Sequence, residues 1–154
     1  MANAKVDQQL RSSSTLARLT TKPKNKPAEI LFGTHLTLDG YGASASRLND
    51  MDTVFTALND LPDLLAMQKI TTPYVVRFAG NEKKDPGGYS GFVMIAESHI
   101  SVHTFPERGF VTIDVYTCQG QLDVKTCISY FTSLFRAQRW ERHVIRRGRH
   151  YGRQ

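Results

Sequence analysis

The sequence is poor in cysteine and has no long apolar run. Its two cysteines, Cys118 and Cys127, form neither a CxxC pair nor a disulfide framework, which is typical of a reduced intracellular protein. No stretch of 18 consecutive apolar residues occurs, so no segment is predicted to span a membrane. We therefore expect a cytoplasmic protein, and its 154 residues are enough for one domain with a modest core.

Acidic residues are scarce at both ends of the chain. Residues 1–29 contain 6 Lys and Arg against 2 acidic residues, and residues 136–154 contain 7 against 1. Because residues 1–29 also lack an apolar period, we predict a disordered basic arm there, a folded domain over residues 30–147 and a basic tail over residues 148–154. Arginine neutralises phosphates, but no aromatic interleaving or recognised binding module accompanies the charge, so a nucleic-acid partner is not favoured.

Apolar periodicity predicts both strands and helices. Alternation from Ile30 to the turn at Asp39 and Gly40 predicts a first strand, and further strands are predicted over residues 74–78, 90–96, 100–105, 110–117 and 140–146. A first helix is predicted from apolar residues near helical spacing: Leu48, Met51, Phe55, Leu58 and Leu61. Pro62 is expected to end or kink this helix. Asp123 is expected to cap a second helix, whose apolar face is Val124, Cys127, Ile128, Phe131, Leu134 and Phe135.

This order of elements predicts an α+β fold, in which an antiparallel-rich sheet carries the helices on one face. The other face of such a sheet would need a partner. We therefore expect a homodimer. Each protomer would have one layer of helices and one sheet, and the two sheets would stack to give an αββα sandwich.

Polar residues interrupt the apolar pattern in the segment GFVMIAESHISVHTFPERGF, residues 91–110. The turn PERG pairs Phe105 with Phe110, and this register sets Ser98 opposite Thr117, with Cys118 adjacent. A hydroxyl and a thiol beside Glu97 and two histidines form a plausible reactive cluster, although a serine and a cysteine at such positions can equally be structural. Since Ser98 and His103 are five residues apart, a regular strand points them to opposite faces, and their cooperation requires a bulge or bend. A metal at the two histidines would lack a third ligand with suitable spacing, so no metal is assigned.

The segment GGYSGFVMIAESHISVHTFPERGFVTIDVYTC, residues 87–118, resembles the processing and active-site region of the prokaryotic S-adenosylmethionine decarboxylases. Members of that family make their own pyruvoyl cofactor. The resemblance is close over these residues and looser over residues 30–145.

The resemblance implies that the chain cuts itself between Glu97 and Ser98, after the Ser98 hydroxyl attacks the preceding carbonyl. Residue 98 would become the pyruvoyl group, which forms a Schiff base with the amine of S-adenosylmethionine before decarboxylation to the aminopropyl donor of polyamine synthesis. By the same resemblance, His103 accepts the α-proton during processing, Ser90 assists at the scissile carbonyl and Cys118 donates a proton in turnover.

The resemblance also suggests how the substrate is bound. Glu107 matches the carboxylate that holds the ribose hydroxyls, and Phe78 is the candidate ring for stacking on adenine. Phe105 occupies a position that is Trp in some members and is included among the substrate-binding candidates.

Two other functions are open at this point. The same cofactor could decarboxylate a basic amino acid such as arginine or ornithine, because its chemistry involves only the substrate amine and carboxylate. Alternatively, the chain could be a basic nucleic-acid-binding protein that never processes at Ser98, which predicts an intact chain and a salt-dependent affinity.

Overall fold

The computed structural model describes residues 32–81 and 86–152. These form a six-stranded sheet in the order β2-β3-β4-β5-β1-β6, with every neighbouring pair antiparallel. In chain order the elements are β1 (Gly33–Tyr41), α1 (Ala45–Leu48), α2 (Met51–Leu64), β2 (Tyr74–Phe78), β3 (Gly88–Ile95), β4 (Ser98–Phe105), β5 (Phe110–Thr117), α3 (Val124–Phe135) and β6 (Arg139–Arg147). The predicted α+β fold is confirmed. The predicted arm over residues 1–29 and the predicted strand start at Ile30 lie outside the described residues.

The core lies between the sheet and the helices, because every second residue of the central strands faces α2 and α3. The fully buried strand residues include Leu36, Leu38, Val93, Ile100, Val102, Val111 and Val115. They join one cluster with the buried side chains of the two long helices, which include Val54, Leu58, Leu61, Phe131 and Phe135. Each such side chain stabilises the fold by about 1.5–3 kcal/mol relative to exposure, so this face determines the register of the whole sheet.

The first predicted helix is divided in two by Asn49 and Asp50. Asp50 is the N-cap of α2, and its carboxylate accepts a hydrogen bond from the Thr53 backbone N–H at 3.2 Å. A new helix axis therefore starts there, and Met51 and Phe55 are exposed rather than part of the apolar face. Of the two effects expected of Pro62, ending the helix is wrong, since α2 continues to Leu64. Proline removes one helical hydrogen bond but leaves those of the following residues, and the Leu65 N–H still reaches the Leu61 carbonyl at 3.1 Å.

The predicted cap of the last helix is confirmed. The Asp123 carboxylate accepts a hydrogen bond from the Thr126 backbone N–H at 3.1 Å, and its interaction with the free N–H groups of the first turn lowers its pKa. Cys127, Phe131 and Phe135 are completely buried on the predicted apolar face.

The sheet face opposite the helices, called the open face below, is uncovered in the single chain. Several large apolar side chains lie exposed on it: Tyr74, Val76, Phe78, Phe92, Met94 and Ile145. None of the helices in the described ranges is both long and apolar enough to cross a bilayer.

Candidate active site

The β4–β5 hairpin has the register expected from its turn. Phe105 pairs with Phe110, and Ser98 pairs with Thr117 at the other end. A 3₁₀ turn, Pro106–Arg108, joins the strands, and Gly109 closes it with a φ of 55°. This left-handed conformation costs glycine little, so the turn chemistry fixes which residues stand opposite Ser98.

The Glu97–Ser98 peptide bond lies where β3 turns into β4, beside the end of β5. The Cys118 backbone N–H donates a hydrogen bond of 2.9 Å to the Glu97 carbonyl oxygen. Ser98 has a φ of 152°, a backbone conformation that L-residues rarely adopt. The bond is therefore held between a fixed donor on its carbonyl and a strained residue on its nitrogen side.

The Glu97 side chain is only partly satisfied. Its Oε1 accepts a hydrogen bond of 3.4 Å from the Gln119 amide, while Oε2 is buried without a protein partner in the described part of the chain. A buried carboxylate oxygen without a hydrogen bond is costly, and Glu97 adds to the strain at this junction.

The Ser98 hydroxyl lies 3.3 Å from Nδ1 of His99. His99 is exposed on the open face, and the edge of its ring meets Tyr116 at a centroid distance of 5.7 Å. Neighbouring side chains of a regular strand point to opposite faces, so this contact depends on the unusual φ of Ser98. The Ser98 hydroxyl is therefore reached from the open face.

His103 and Ser90 form a second polar pair farther along the sheet. They are direct cross-strand partners of β4 and β3, and His103 Nδ1 lies 2.9 Å from Ser90 Oγ. Both line a cavity of about 310 Å³ on the open face, together with Tyr74, Val76, Gly91, Phe92 and Ser101. An imidazole beside an apolar cavity can exchange a proton with a group that enters it.

The bend expected between Ser98 and His103 is absent. The pairing of β4 with β3 and with β5 continues through every residue that separates them. At about 3.3 Å per residue, five residues place the two Cα atoms roughly 16 Å apart. The only irregular backbone of β4 among its described residues is at Ser98 itself, and one chain does not bring Ser98 and His103 together.

Two of the three predicted substrate-binding residues share one cavity. Glu107 and Phe78 line a depression of about 130 Å³ with Asn49, Arg77 and Gly88 among its other walls. A carboxylate and a ring are thus neighbours at the end of the sheet opposite Ser98. Phe105 instead packs against Phe110 on the open face, with a centroid distance of 5.5 Å, and does not line this cavity.

The two cysteines differ in their surroundings. Cys118 is exposed directly after β5, whereas Cys127 is buried in α3. Burial, with a smaller contribution from the Asp123 charge, raises the pKa of Cys127 to about 12. Cys127 therefore stays protonated as a small core residue, and Cys118 is the thiol available for chemistry.

The sequence predicts His99 as a member of the reactive cluster, as one of its two histidines, but assigns it no role, and it gives no signal for Gln119. The adjacency of His99 to Ser98 is the one sequence feature that indicates their contact. The described residues contain no group of three or more His, Cys, Asp and Glu that could hold a metal ion.

The family profile described as S-adenosylmethionine decarboxylase matches residues 34–148. The chain belongs to this family. The match includes every strand and helix of the described structure except the first residue of β1. The predicted family resemblance is therefore confirmed.

Curated members of the S-adenosylmethionine decarboxylase family align over most of their own length. The proenzyme of Pyrobaculum islandicum is 34% identical over 114 residues, covering 74% of this chain and 86% of that protein. The proenzyme of Thermoanaerobacter sp. (strain X514) is 30% identical over 117 residues, covering 76% of this chain and 89% of that protein. The crystal structure of the adenosylmethionine decarboxylase from Aquifex aeolicus superposes with a TM-score of 0.65 at 30% identity, covering 77% of this chain and 92% of that one.

Proposed function

We propose that the chain is a self-processing decarboxylase of S-adenosylmethionine, whose reactive carbonyl group is made from Ser98. Family membership supports the reaction and the substrate, since the matched relatives are named as proenzymes of this decarboxylase. The observation that carries the processing step is the Glu97–Ser98 bond. Its carbonyl accepts the Cys118 N–H at 2.9 Å and its nitrogen belongs to a residue with a φ of 152°.

Processing begins with attack of Ser98 Oγ on the Glu97 carbonyl carbon, through a five-membered ring. Negative charge then develops on the Glu97 carbonyl oxygen, where the Cys118 N–H is already placed to stabilise it. Strain at Ser98 raises the energy of the amide and favours its conversion to an ester. Elimination of that ester needs a base for the α-proton of residue 98, the role proposed for His103, while Ser90 is proposed to assist at the scissile carbonyl.

In the mature enzyme, the pyruvoyl group at residue 98 would supply an electron sink for loss of carbon dioxide from the substrate. The chain's own residues orient the substrate and move protons around this group. Cys118 would return a proton to the substrate α-carbon. Glu107 and Phe78, which lie at the end of the sheet opposite Ser98, would hold the nucleoside only where a second protomer brings the two ends together.

We further propose that the working unit is a homodimer stacked through the open faces. The exposed apolar side chains of this face support stacking, because monomeric proteins rarely leave such a surface uncovered. The separation of Ser98 from His103 supports it independently. A twofold axis through the middle of the face would bring the Ser98 end of β4 in one protomer against the His103 and Ser90 region of its partner.

We propose a cytoplasmic location, because the proposed proton donor Cys118 is an exposed free thiol and such thiols persist in a reducing compartment.

Intact-mass spectrometry of freshly purified protein tests the proposed processing. We expect two fragments separated between Glu97 and Ser98, the second lighter by one ammonia than a fragment that begins with serine. Ser98→Ala should stay intact and inactive, whereas Cys118→Ala should still be cleaved but turn over poorly. Cleavage of Ser98→Ala at the same bond, or an intact and active wild-type chain, would refute the proposed function.

A further inference from the structure

We propose that His99 is a catalytic residue of self-processing, acting as the base that takes the proton from the Ser98 hydroxyl. This inference rests on the proposed function and adds a role for a residue that the family resemblance left without one. Its basis is the 3.3 Å contact between Ser98 Oγ and His99 Nδ1. A general base must come within about 2.6–3.2 Å of the atom whose proton it removes, and the 3.3 Å contact lies just beyond this range, as is common before the reacting geometry forms.

The surroundings of His99 suit this role. His99 pairs with Met94 on one side and Tyr116 on the other, and its ring contacts the Tyr116 ring. These neighbours restrict the ring, and none of them takes the place of Ser98 at Nδ1. The proposed base at the later step, His103, is about 16 Å away along the strand and its Nδ1 lies against Ser90. In the described part of one chain, His99 is the imidazole that touches the nucleophile.

The proposed step balances without an external reagent. With the ring proton on Nε2, His99 Nδ1 accepts the Ser98 Oγ proton while Oγ bonds to the Glu97 carbonyl carbon. The electron pair of the carbonyl moves to its oxygen, which already accepts the Cys118 N–H. The C–N bond then breaks as the carbonyl re-forms, and His99 returns the proton to the Ser98 nitrogen. The products are the Glu97 ester and a free amine, and His99 is neutral again.

Two substitutions separate proton transfer from a purely structural role. His99→Asn keeps a side-chain oxygen that can accept the Ser98 hydrogen bond but has no basic nitrogen at neutral pH. His99→Ala removes the whole ring, and because the site is exposed in the single chain, imidazole present while the chain is synthesised can enter the space before a partner covers the open face. His150→Asn is a matched control, since His150 is an exposed histidine in the C-terminal turn far from Ser98 in sequence.

The measurement is the rate at which freshly synthesised full-length chain yields the two fragments. General base catalysis typically contributes about 10²–10⁴-fold, so we expect both His99 variants to process at least roughly tenfold more slowly than wild type. The unprocessed chains should resist hydroxylamine, which cleaves esters, because they stop before the acyl shift. Imidazole should accelerate His99→Ala, and His150→Asn should process like wild type.

Three results would overturn the inference: wild-type processing of His99→Asn, accumulation of hydroxylamine-sensitive ester in either His99 variant, or no response of folded His99→Ala to imidazole. Thermal unfolding of each variant checks that it is folded. These outcomes differ from failure of the proposed function, in which the wild-type chain itself would not be cleaved between Glu97 and Ser98.

Discussion

Replacing Thr104 by valine should destabilise the fold beside the His103–Ser90 pair. The Thr104 hydroxyl donates to the Leu48 carbonyl at 2.8 Å and accepts from the Tyr89 N–H at 2.9 Å, and the residue is only 2% exposed. Valine fills almost the same volume, so no cavity forms, but both backbone groups lose this partner. At about 1–3 kcal/mol for each of the two unsatisfied groups, we expect a loss of about 2–6 kcal/mol.

The assay is thermal unfolding followed by circular dichroism. It is best done in a Ser98→Ala background, where the proposal predicts a single uncleaved chain and a simple transition. At about 3–4 °C per kcal/mol for a domain of this size, Tm should fall by roughly 6–24 °C. Thr72→Val is the matched control, because Thr72 is exposed in a loop and makes no side-chain hydrogen bond in the described structure. A decrease of less than about 2 °C for Thr104→Val would refute the reasoning.

Two further predictions concern individual side chains. Iodoacetamide at pH 8 should modify Cys118 alone in the folded protein, since a pKa of about 12 leaves only about one Cys127 thiol in ten thousand ionised. Mass spectrometry of the native adduct tests this prediction. Labelling of Cys127 before unfolding would contradict it. Asp39→Asn should raise Tm at pH 7 by about 1–2 °C, because burial and the directly opposite Glu141 carboxylate raise the pKa of Asp39, so that its ionised form costs stability. Since a raised pKa in the folded state favours the protonated form, this gain should vanish as the pH falls below the usual Asp value, and an equal gain at pH 3 would show that charge repulsion is not the cause.

The sequence was sufficient for the hairpin that carries the site. The turn residues and the alternation of β4 and β5 determined that Ser98 faces Thr117, because a register slip would turn the buried residues of both strands outward. The cap at Asp123 was likewise readable, since a side-chain acceptor before an amphipathic run satisfies the free N–H groups of a helix start.

Other features could not be read from periodicity. The division between α1 and α2 depends on one hydrogen bond from the Thr53 N–H to Asp50, a local cap that apolar spacing does not reveal. The contact of Ser98 with His99 depends on a backbone φ of 152°, whereas sequence reasoning places neighbouring strand residues on opposite faces. The bend between Ser98 and His103 is a related case. It was expected because the two residues could cooperate within one chain only if the strand were distorted, and the strand between them is regular.

The strand order determines what happens to the two pieces after a cut at residue 97. The first piece carries β1, β2 and β3, and the second carries β4, β5 and β6. In the sheet β1 lies between β5 and β6, so the pieces interleave and meet along three ladders, β3–β4, β5–β1 and β1–β6. The pieces can separate only by unfolding, and their return would be a bimolecular reaction. If the chain is cut as proposed, folding of the uncut chain would be a one-way assembly route, in which the covalent link helps to build the sheet and is no longer required once the sheet exists.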